Sequence, residues 1–213
     1  MDEEEQFISS IYNYCDRWCE RCEFTTRCRV FADERSQMLE DSDDPMGDAI
    51  RVVAESLAET KQMLMDHADE MGIDLEASAN DPEIAESIER SRSTVDNEES
   101  VILAKKYAFD IRPVLESRDE WLTADAKDDP TTGDMIAILY WYQFFIAAKV
   151  HRAFHSILDF DGYEDTDELS DPQSDANGSA KVALIAVERS IRAWTYLLNP
   201  NNAAVIRPFI ELL

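Results

Sequence analysis

The sequence predicts an all-α protein: a helical bundle of about five or six helices with an N-terminal helical segment that carries the cysteines. Apolar residues recur at spacings of three and four through most of the chain. No alternation of apolar and polar residues is long enough to indicate strands. A chain of 213 residues, 45% of them hydrophobic, is also long enough to bury a core.

The expected organisation is an N-terminal metal-binding segment, residues 1–31, followed by a bundle domain, residues 48–213. The stretch between them becomes acidic and ends in EDSDDPMGD, a composition that is typical of loops and linkers. We therefore expect the main break in the chain to lie there.

The first helix of the expected bundle runs from about Asp48 to Met71 and ends at Gly72. Its apolar stripe includes Ile50, Val53, Leu57, Leu64 and Met71. His67 lies on the same stripe, so we expect it at the edge of a core. After this helix, Asp81-Pro82 has the cap-then-proline order of a helix start and predicts a short polar helix to about Ser91.

Residues 97–117 predict the next helix, in which Pro113 is expected to kink or interrupt the last turns. A short helical turn should follow around Trp121. The segment from Met135 to Ala148 is apolar on all sides and predicts a central helix, continuing to Leu158, that other helices surround.

An acidic loop, residues 159–175, is expected after the central helix. It lacks the glycine of an EF-hand, so we interpret it as a solvated loop and not as a calcium site. The last long helix has a predicted stripe of Leu184, Val187, Ile191, Trp194 and Leu198. The tail from residue 203 predicts a short helix interrupted by Pro208.

The charge of the chain limits its partners. With 46 acidic and 20 basic residues the net charge is -26, and such a surface repels nucleic acid and anionic lipid. The longest apolar run is also too short for the roughly 20 residues that cross a bilayer. We expect a protein partner or none, and a cytoplasmic location, because the start MDEEEQ lacks the features of an export signal.

All four cysteines, Cys15, Cys19, Cys22 and Cys28, lie in YCDRWCERCEFTTRCR. In a reducing compartment this clustering favours a metal over disulfides. The apolar pattern before Tyr14 continues without a Gly or Pro, which predicts a helix with Cys15, Cys19 and Cys22 on one face. Cys28 would then return from a turn to complete the site.

The spacing C-x3-C-x2-C-x5-C favours an iron–sulfur cluster, such as 4Fe-4S, over zinc, because zinc sites usually combine two separate knuckles. Uncoordinated thiols or disulfides are the third alternative. The first three cysteines have the spacing of radical SAM enzymes, but no strand–helix alternation follows, so we do not transfer that activity.

Four thiolates leave no open coordination position, which disfavours catalysis by the metal. We therefore expect a metal-binding protein in which the centre anchors the N-terminus and supports an interaction or redox sensing. The alternative function is an iron–sulfur enzyme or electron carrier that also uses a histidine and arginine face of the bundle.

That face contains His151 and His155, at a spacing that can share a metal, with Glu188 as a possible third ligand. The competing interpretation is that the histidines are hydrogen-bonded to a carboxylate or a carbonyl. A ferritin-like di-iron site is disfavoured because no Glu lies three residues before a His. Four cations near these residues predict either an anion-binding groove or ordinary salt bridges: Lys149, Arg152, Arg189 and Arg192.

Overall fold

The structure is a computed structural model that describes residues 6–9, 11–37, 44–160 and 174–213. All regular structure in these residues is helical, which confirms the predicted all-α class. They contain ten α-helices and three short 3-10 helices. The bundle of five or six helices and the metal-binding role of the cysteine segment stay predictions. Residues 161–173 of the expected acidic loop and residues 38–43 of the expected linker lie outside the described residues.

The α-helices are numbered in chain order. They are α1 (Arg29–Gln37), α2 (Pro45–Met71), α3 (Leu75–Ala79), α4 (Pro82–Asp96), α5 (Glu99–Glu116), α6 (Arg118–Trp121), α7 (Ala124–Lys127), α8 (Pro130–Phe160), α9 (Asp175–Leu197) and α10 (Ala203–Leu212). The 3-10 helices are η1 (Ile11–Tyr14), η2 (Cys19–Arg21) and η3 (Thr25–Arg27). Within the described residues, no helix is both long and apolar enough to cross a membrane.

Helix ends follow the local chemistry of the sequence. Helix α2 begins where the Asp44 carboxylate accepts the Gly47 N–H at 3.0 Å, and it ends at Gly72, whose φ of 67° is left-handed. The predicted stop is confirmed and the start lies three residues earlier than expected. Helix α4 runs to Asp96, five residues past its predicted end.

Neither of the two late prolines interrupts its helix, so the predicted interruptions are wrong, while the alternative of a kink at Pro113 stays a prediction. Helix α5 continues past Pro113 to Glu116, and α10 continues past Pro208. Buried residues lie on both sides of each proline, Ile111 and Leu115 in α5, and Ile206 and Phe209 in α10. Packing of these flanking side chains offsets the backbone hydrogen bond that each proline removes.

The chain divides into two compact units. The first contains Met1–Tyr12 and Arg17–Arg90, and the second contains Asn13–Asp16 and Ser91–Leu213. These bounds differ from the division at residues 32–47 that the sequence suggests, and that division stays a prediction.

The core of the second unit lies where α8 packs against α5 and α9, with α10 on α5 and α9. Trp194 is fully buried there, and its Nε1 donates to the Tyr107 hydroxyl at 3.0 Å. Its ring stacks on Phe209 with centroids 5.3 Å apart. Aromatic packing and one satisfied polar pair therefore form the centre of this core.

Helix α8 is covered on one side and not surrounded. Leu139, Tyr142 and Ile146 are buried, whereas Trp141 and Phe144 keep 37% and 45% of their surface exposed. The prediction of a completely enclosed helix is therefore wrong. An apolar sequence shows which side chains can be buried, but the number of neighbouring helices decides which ones are.

Helix α9 packs through small residues. Its buried face consists mostly of Ala176, Gly178, Ser179, Val182, Ala183, Ala186, Ser190 and Ala193. Leu184, which the sequence places on the buried stripe, is 69% exposed. Small side chains allow the closer approach of two helix axes, so the larger Leu184 lies outside the contact. The predicted stripe is correct for Trp194 and wrong for Leu184.

Candidate functional site

The cysteine segment consists of short 3-10 turns and loops. Cys15 follows η1, and Cys22 ends η2 by donating its N–H to the Cys19 carbonyl at 3.1 Å. Cys28 ends η3 by donating to the Thr25 carbonyl at 3.3 Å. The prediction that Cys15, Cys19 and Cys22 share one face of an α-helix is therefore wrong.

No continuous helix forms here, since η1 ends at Tyr14 and the φ of 59° at Arg17 is left-handed. A residue with a Cβ rarely adopts this conformation, and it cannot continue a right-handed helix. Cys22 and Cys28 have extended backbones, which end η2 and η3 after one turn each. No Gly or Pro marks these breaks. The helical spacing before Tyr14 therefore predicts an α-helix in the cysteine segment that the structure does not contain.

The four sulfurs lie in partly accessible positions. All four cysteines are among the described residues, each is half-buried, and none forms a disulfide. The Cys22 Sγ accepts the N–H of Phe24 at 3.4 Å. A backbone N–H directed at sulfur stabilises the negative charge of a thiolate, as occurs around metal-bound cysteines. Cys22 therefore already has one of the hydrogen bonds that a thiolate ligand uses.

Two arginines of the segment have local partners. The Arg21 guanidinium lies 4.1 Å from the centre of the Trp18 ring, and Arg29 pairs with Asp33 at 3.4 Å. Over the described parts of the chain, no group of three or more His, Cys, Asp or Glu side chains could hold a metal ion. The four-cysteine centre stays a prediction.

Asp16, the residue after Cys15, is bound by α8 and α9 of the second unit. Its carboxylate accepts hydrogen bonds from Arg189 Nη1 at 2.6 Å and from the Tyr142 hydroxyl. Its backbone carbonyl accepts the Trp141 Nε1–H at 2.9 Å. Three side chains from two helices thus hold one loop residue, which we call the Asp16 anchor.

The anchor is a triangle of two charged groups and a neutral hydroxyl. Arg189 donates hydrogen bonds to Asp16 and to the Tyr142 hydroxyl, and this hydroxyl donates a hydrogen bond to Asp16. Burial and the hydrogen bond to the Asp16 carboxylate together raise the pKa of Tyr142 to about 12, although Arg189 acts in the opposite direction. The hydroxyl of Tyr142 therefore stays protonated at neutral pH and keeps donating to Asp16.

The residues before Cys15 also lie on α9. A Cβ added at Gly178 would be 3.3 Å from the Asn13 carbonyl oxygen and 3.6 Å from Tyr14 Cε1. Lys181 Nζ lies 5.7 Å from the centre of the Tyr14 ring. The missing side chain at Gly178 thus allows the backbone to approach the helix. Asn13–Asp16, with Cys15 among them, is held on the second unit from both ends.

The histidine pair has a carboxylate neighbour. His151 Nε2 lies 3.4 Å from Asp96 Oδ1, and Lys105 Nζ binds the same oxygen at 2.6 Å. The hydrogen bond from Lys105 lowers the pKa of Asp96. The rings of His151 and His155 stack with centroids 6.1 Å apart. The contact with Asp96 fits the interpretation of His151 as a residue beside a carboxylate.

Glu188, the suggested third ligand, instead pairs with Arg192 on its own helix at 2.5 Å. The metal site of His151, His155 and Glu188 remains a prediction. No described contact adds to it.

The four cations of the suggested anion groove have partners within the protein. Arg152 binds Asp175 through two hydrogen bonds of 2.7 Å each and lowers the pKa of that carboxyl. Arg189 binds Asp16, and Arg192 binds Glu188. Lys149 Nζ lies 5.6 Å from the centre of the Phe145 ring. These contacts support the salt-bridge interpretation over a groove.

Sequence reasoning did not identify Asp16, Tyr142 or Gly178. A tyrosine within an apolar run is a usable signal, because a buried hydroxyl needs a hydrogen-bond partner. This signal would have pointed to Tyr142. It would not have identified Asp16 as the hydrogen-bond partner, since the two residues are 126 positions apart.

Comparison with known proteins adds no further residues. No family model, no curated protein and no solved structure matches the chain.

Proposed function

We propose that this is a metal-binding protein in which Cys15, Cys19, Cys22 and Cys28 together ligate an iron–sulfur cluster. The cluster would anchor the N-terminal segment and support a protein interaction or redox sensing. The observation that carries the proposal is that all four cysteines of a 213-residue chain lie within 14 consecutive residues. Ligands from one contiguous run are typical of iron–sulfur clusters, whereas zinc sites usually combine separated pairs.

The donor set decides which chemistry is available. Four thiolates complete the protein ligation of a 4Fe-4S cluster, which can accept or donate one electron. Because no coordination position stays open, activation of a water or a carbonyl is disfavoured. The N–H of Phe24 on the Cys22 sulfur supports this reading, since hydrogen bonds to ligand sulfurs stabilise the thiolate and adjust the reduction potential.

The local structure of the segment makes rearrangement inexpensive. None of the three 3-10 helices contains a buried residue, so movement of Cys19, Cys22 and Cys28 would disrupt little packing, whereas Cys15 is tied to Asp16. Metal binding by thiolates releases roughly 10 kcal/mol or more in small structural sites, which exceeds the cost of reordering such turns. We therefore expect metal binding to reshape residues 15–28.

The Asp16 anchor suggests how such a change would be sensed. Asp16 follows Cys15 directly in the chain and is held by Tyr142, Arg189 and Trp141. A change in the coordination of Cys15 acts on Asp16 through a single peptide linkage. Loss of the cluster should therefore weaken the anchor, which provides a link from the redox centre to α8 and α9.

The test is metal analysis of the full chain purified without oxygen. We expect a brown protein with sulfur-to-iron absorbance and about four iron and four sulfide per chain. Serine substitution of any of the four cysteines should reduce iron content and absorbance. Thr26→Ser, an exposed change in the same segment, should retain both.

Two results would contradict the proposal. A colourless protein with one zinc per chain and no iron would replace the cluster by a zinc site. If neither metal is present, and Cys15→Ser combined with Cys22→Ser leaves the melting temperature unchanged, then the four cysteines have no metal-binding role.

A further inference from the structure

Helix α2 of the first unit exposes a largely apolar stripe along its length. Six side chains along it keep 58–71% of their surface accessible: Met46, Ile50, Val53, Leu57, Leu64 and Met71. Of the α2 side chains that the structure describes, only that of Ala68 is buried. An apolar surface of this extent on a helix of 27 residues indicates an interface. The expected core-edge position of His67 is wrong, since its side chain is 70% exposed.

The stripe follows a strict seven-residue repeat. Steps of four and three alternate without exception through Met46, Ile50, Val53, Leu57, Thr60, Leu64, His67 and Met71. A straight α-helix has 3.6 residues per turn, so this repeat stays on one line only when two helices supercoil around each other. A helix that faces the core of a globular bundle has a wider apolar face. The repeat therefore identifies a coiled-coil seam.

We propose that α2 pairs in antiparallel orientation with α2 of a second copy of this chain. The repeat is symmetric about a point between residues 58 and 59. Reversed pairing places Met46 against the partner's Met71 and Val53 against the partner's Leu64. The two polar residues of the repeat, His67 and Thr60, then each face an aliphatic side chain. His67 meets the partner's Ile50, and Thr60 meets the partner's Leu57. In a parallel pair, Thr60 and His67 would each face their own copy.

The charges on α2 also favour the antiparallel pair. In the N-terminal half, Arg51 bridges Asp48 at 3.1 Å and Glu55 at 3.2 Å, which leaves one net negative charge. The C-terminal half carries four acidic residues and one lysine and is therefore more acidic. The antiparallel pair places each acidic half beside the less acidic half of the partner. A parallel pair would align the two most acidic halves.

The size of the seam predicts a weak dimer. The stripe from Met46 to Met71 is about 37 Å long, and a helix is about 11 Å wide, so each copy contributes roughly 400 Å² in projection. This area is at the small end for specific interfaces, which bury roughly 800 Å² per partner. Small residues beside the seam, Ala49 and Ser56, allow the helices to approach closely. We therefore expect association that depends on concentration.

Sedimentation equilibrium of the full chain tests the dimer. The mass should rise from 24.4 kDa toward twice that value with concentration, and added salt should strengthen association by screening the charge of -26 on each copy. Leu57→Asp with Leu64→Asp should give a monomer. Ala58→Asp with Gln62→Asp adds the same two charges at exposed positions on the face of α2 away from the seam and should remain dimeric. Circular dichroism confirms that both variants stay helical.

A photo-crosslinking amino acid at Val53, in a mixture of heavy-isotope and ordinary chains, tests the orientation. The antiparallel pair predicts links between chains near the partner's Leu64. Links to position 53 of the other copy would overturn the antiparallel register. A wild-type monomer at every concentration and salt level, or a Leu57→Asp, Leu64→Asp variant as dimeric as wild type, would overturn the dimer.

Discussion

Asp16→Asn should weaken the Asp16 anchor while preserving its shape. The substitution removes the negative charge that accepts hydrogen bonds from Arg189 and from Tyr142. A hydrogen bond to a charged group contributes roughly 1.5 to 3 kcal/mol. The Arg189 side chain is 51% exposed and that of Asp16 is 20% exposed, so water replaces part of the interaction. We expect a loss of about 1 to 2 kcal/mol in the free energy of unfolding.

Thermal unfolding followed by circular dichroism measures this loss. For a chain of this length the loss corresponds to a melting temperature lower by roughly 3 to 6 °C. A double-mutant cycle of Asp16→Asn with Arg189→Gln should give a coupling energy of about 1 kcal/mol.

Arg192→Gln is the matched control on the same helix. It removes an exposed pair with Glu188 and should cost less than about 0.5 kcal/mol. The reasoning is refuted if Asp16→Asn is as stable as wild type and the cycle shows no coupling.

Two further predictions concern α5, α8 and α9. Burial raises the pKa of Tyr107 to about 12, so its contribution to stability is complete below pH 10 and is lost as the pH rises to 12. Tyr107→Phe should therefore flatten the fall in stability over that window, and an unchanged slope in alkaline denaturation would contradict the pKa. Gly133 and Gly178 are each the fourth residue of a long helix, α8 and α9. Gly133→Ala should gain about 0.5 to 1 kcal/mol in chemical denaturation, because its Cβ meets open space. Gly178→Ala should not gain this stability, because its Cβ would lie 3.3 Å from the Asn13 carbonyl oxygen. If both variants gain the same stability, Asn13 does not lie on α9.

The helix class and several helix ends could be predicted because their causes are local. Gly72 ends α2 through its left-handed backbone, and Pro82 starts α4, as the sequence indicated. The central position of Trp194 also follows from its size and its place on an apolar stripe. Each of these features depends on residues within one or two helical turns.

The cysteine segment shows where this reasoning stops. The helix η1 ends at Tyr14 and the left-handed backbone of Arg17 prevents a continuous helix up to Cys19, but arginine carries no sequence signal for that conformation. The proposed ligand set follows from spacing along the chain and is unaffected by the break. What changes is the expected geometry, from one helical face to a series of short turns that metal binding can reorder.

The sequence by itself determined the helical class, the cysteine cluster and the seven-residue repeat of α2, because each is a pattern of spacing within one segment. Only the tertiary structure decided that Asp16 binds Tyr142 and Arg189, that small residues of α9 form its buried face, and that the α2 stripe is exposed. Those outcomes depend on which segments meet in space. The contacts of Asp16 join residues more than a hundred positions apart, and a spacing pattern within one segment carries no information about the segment that packs against it.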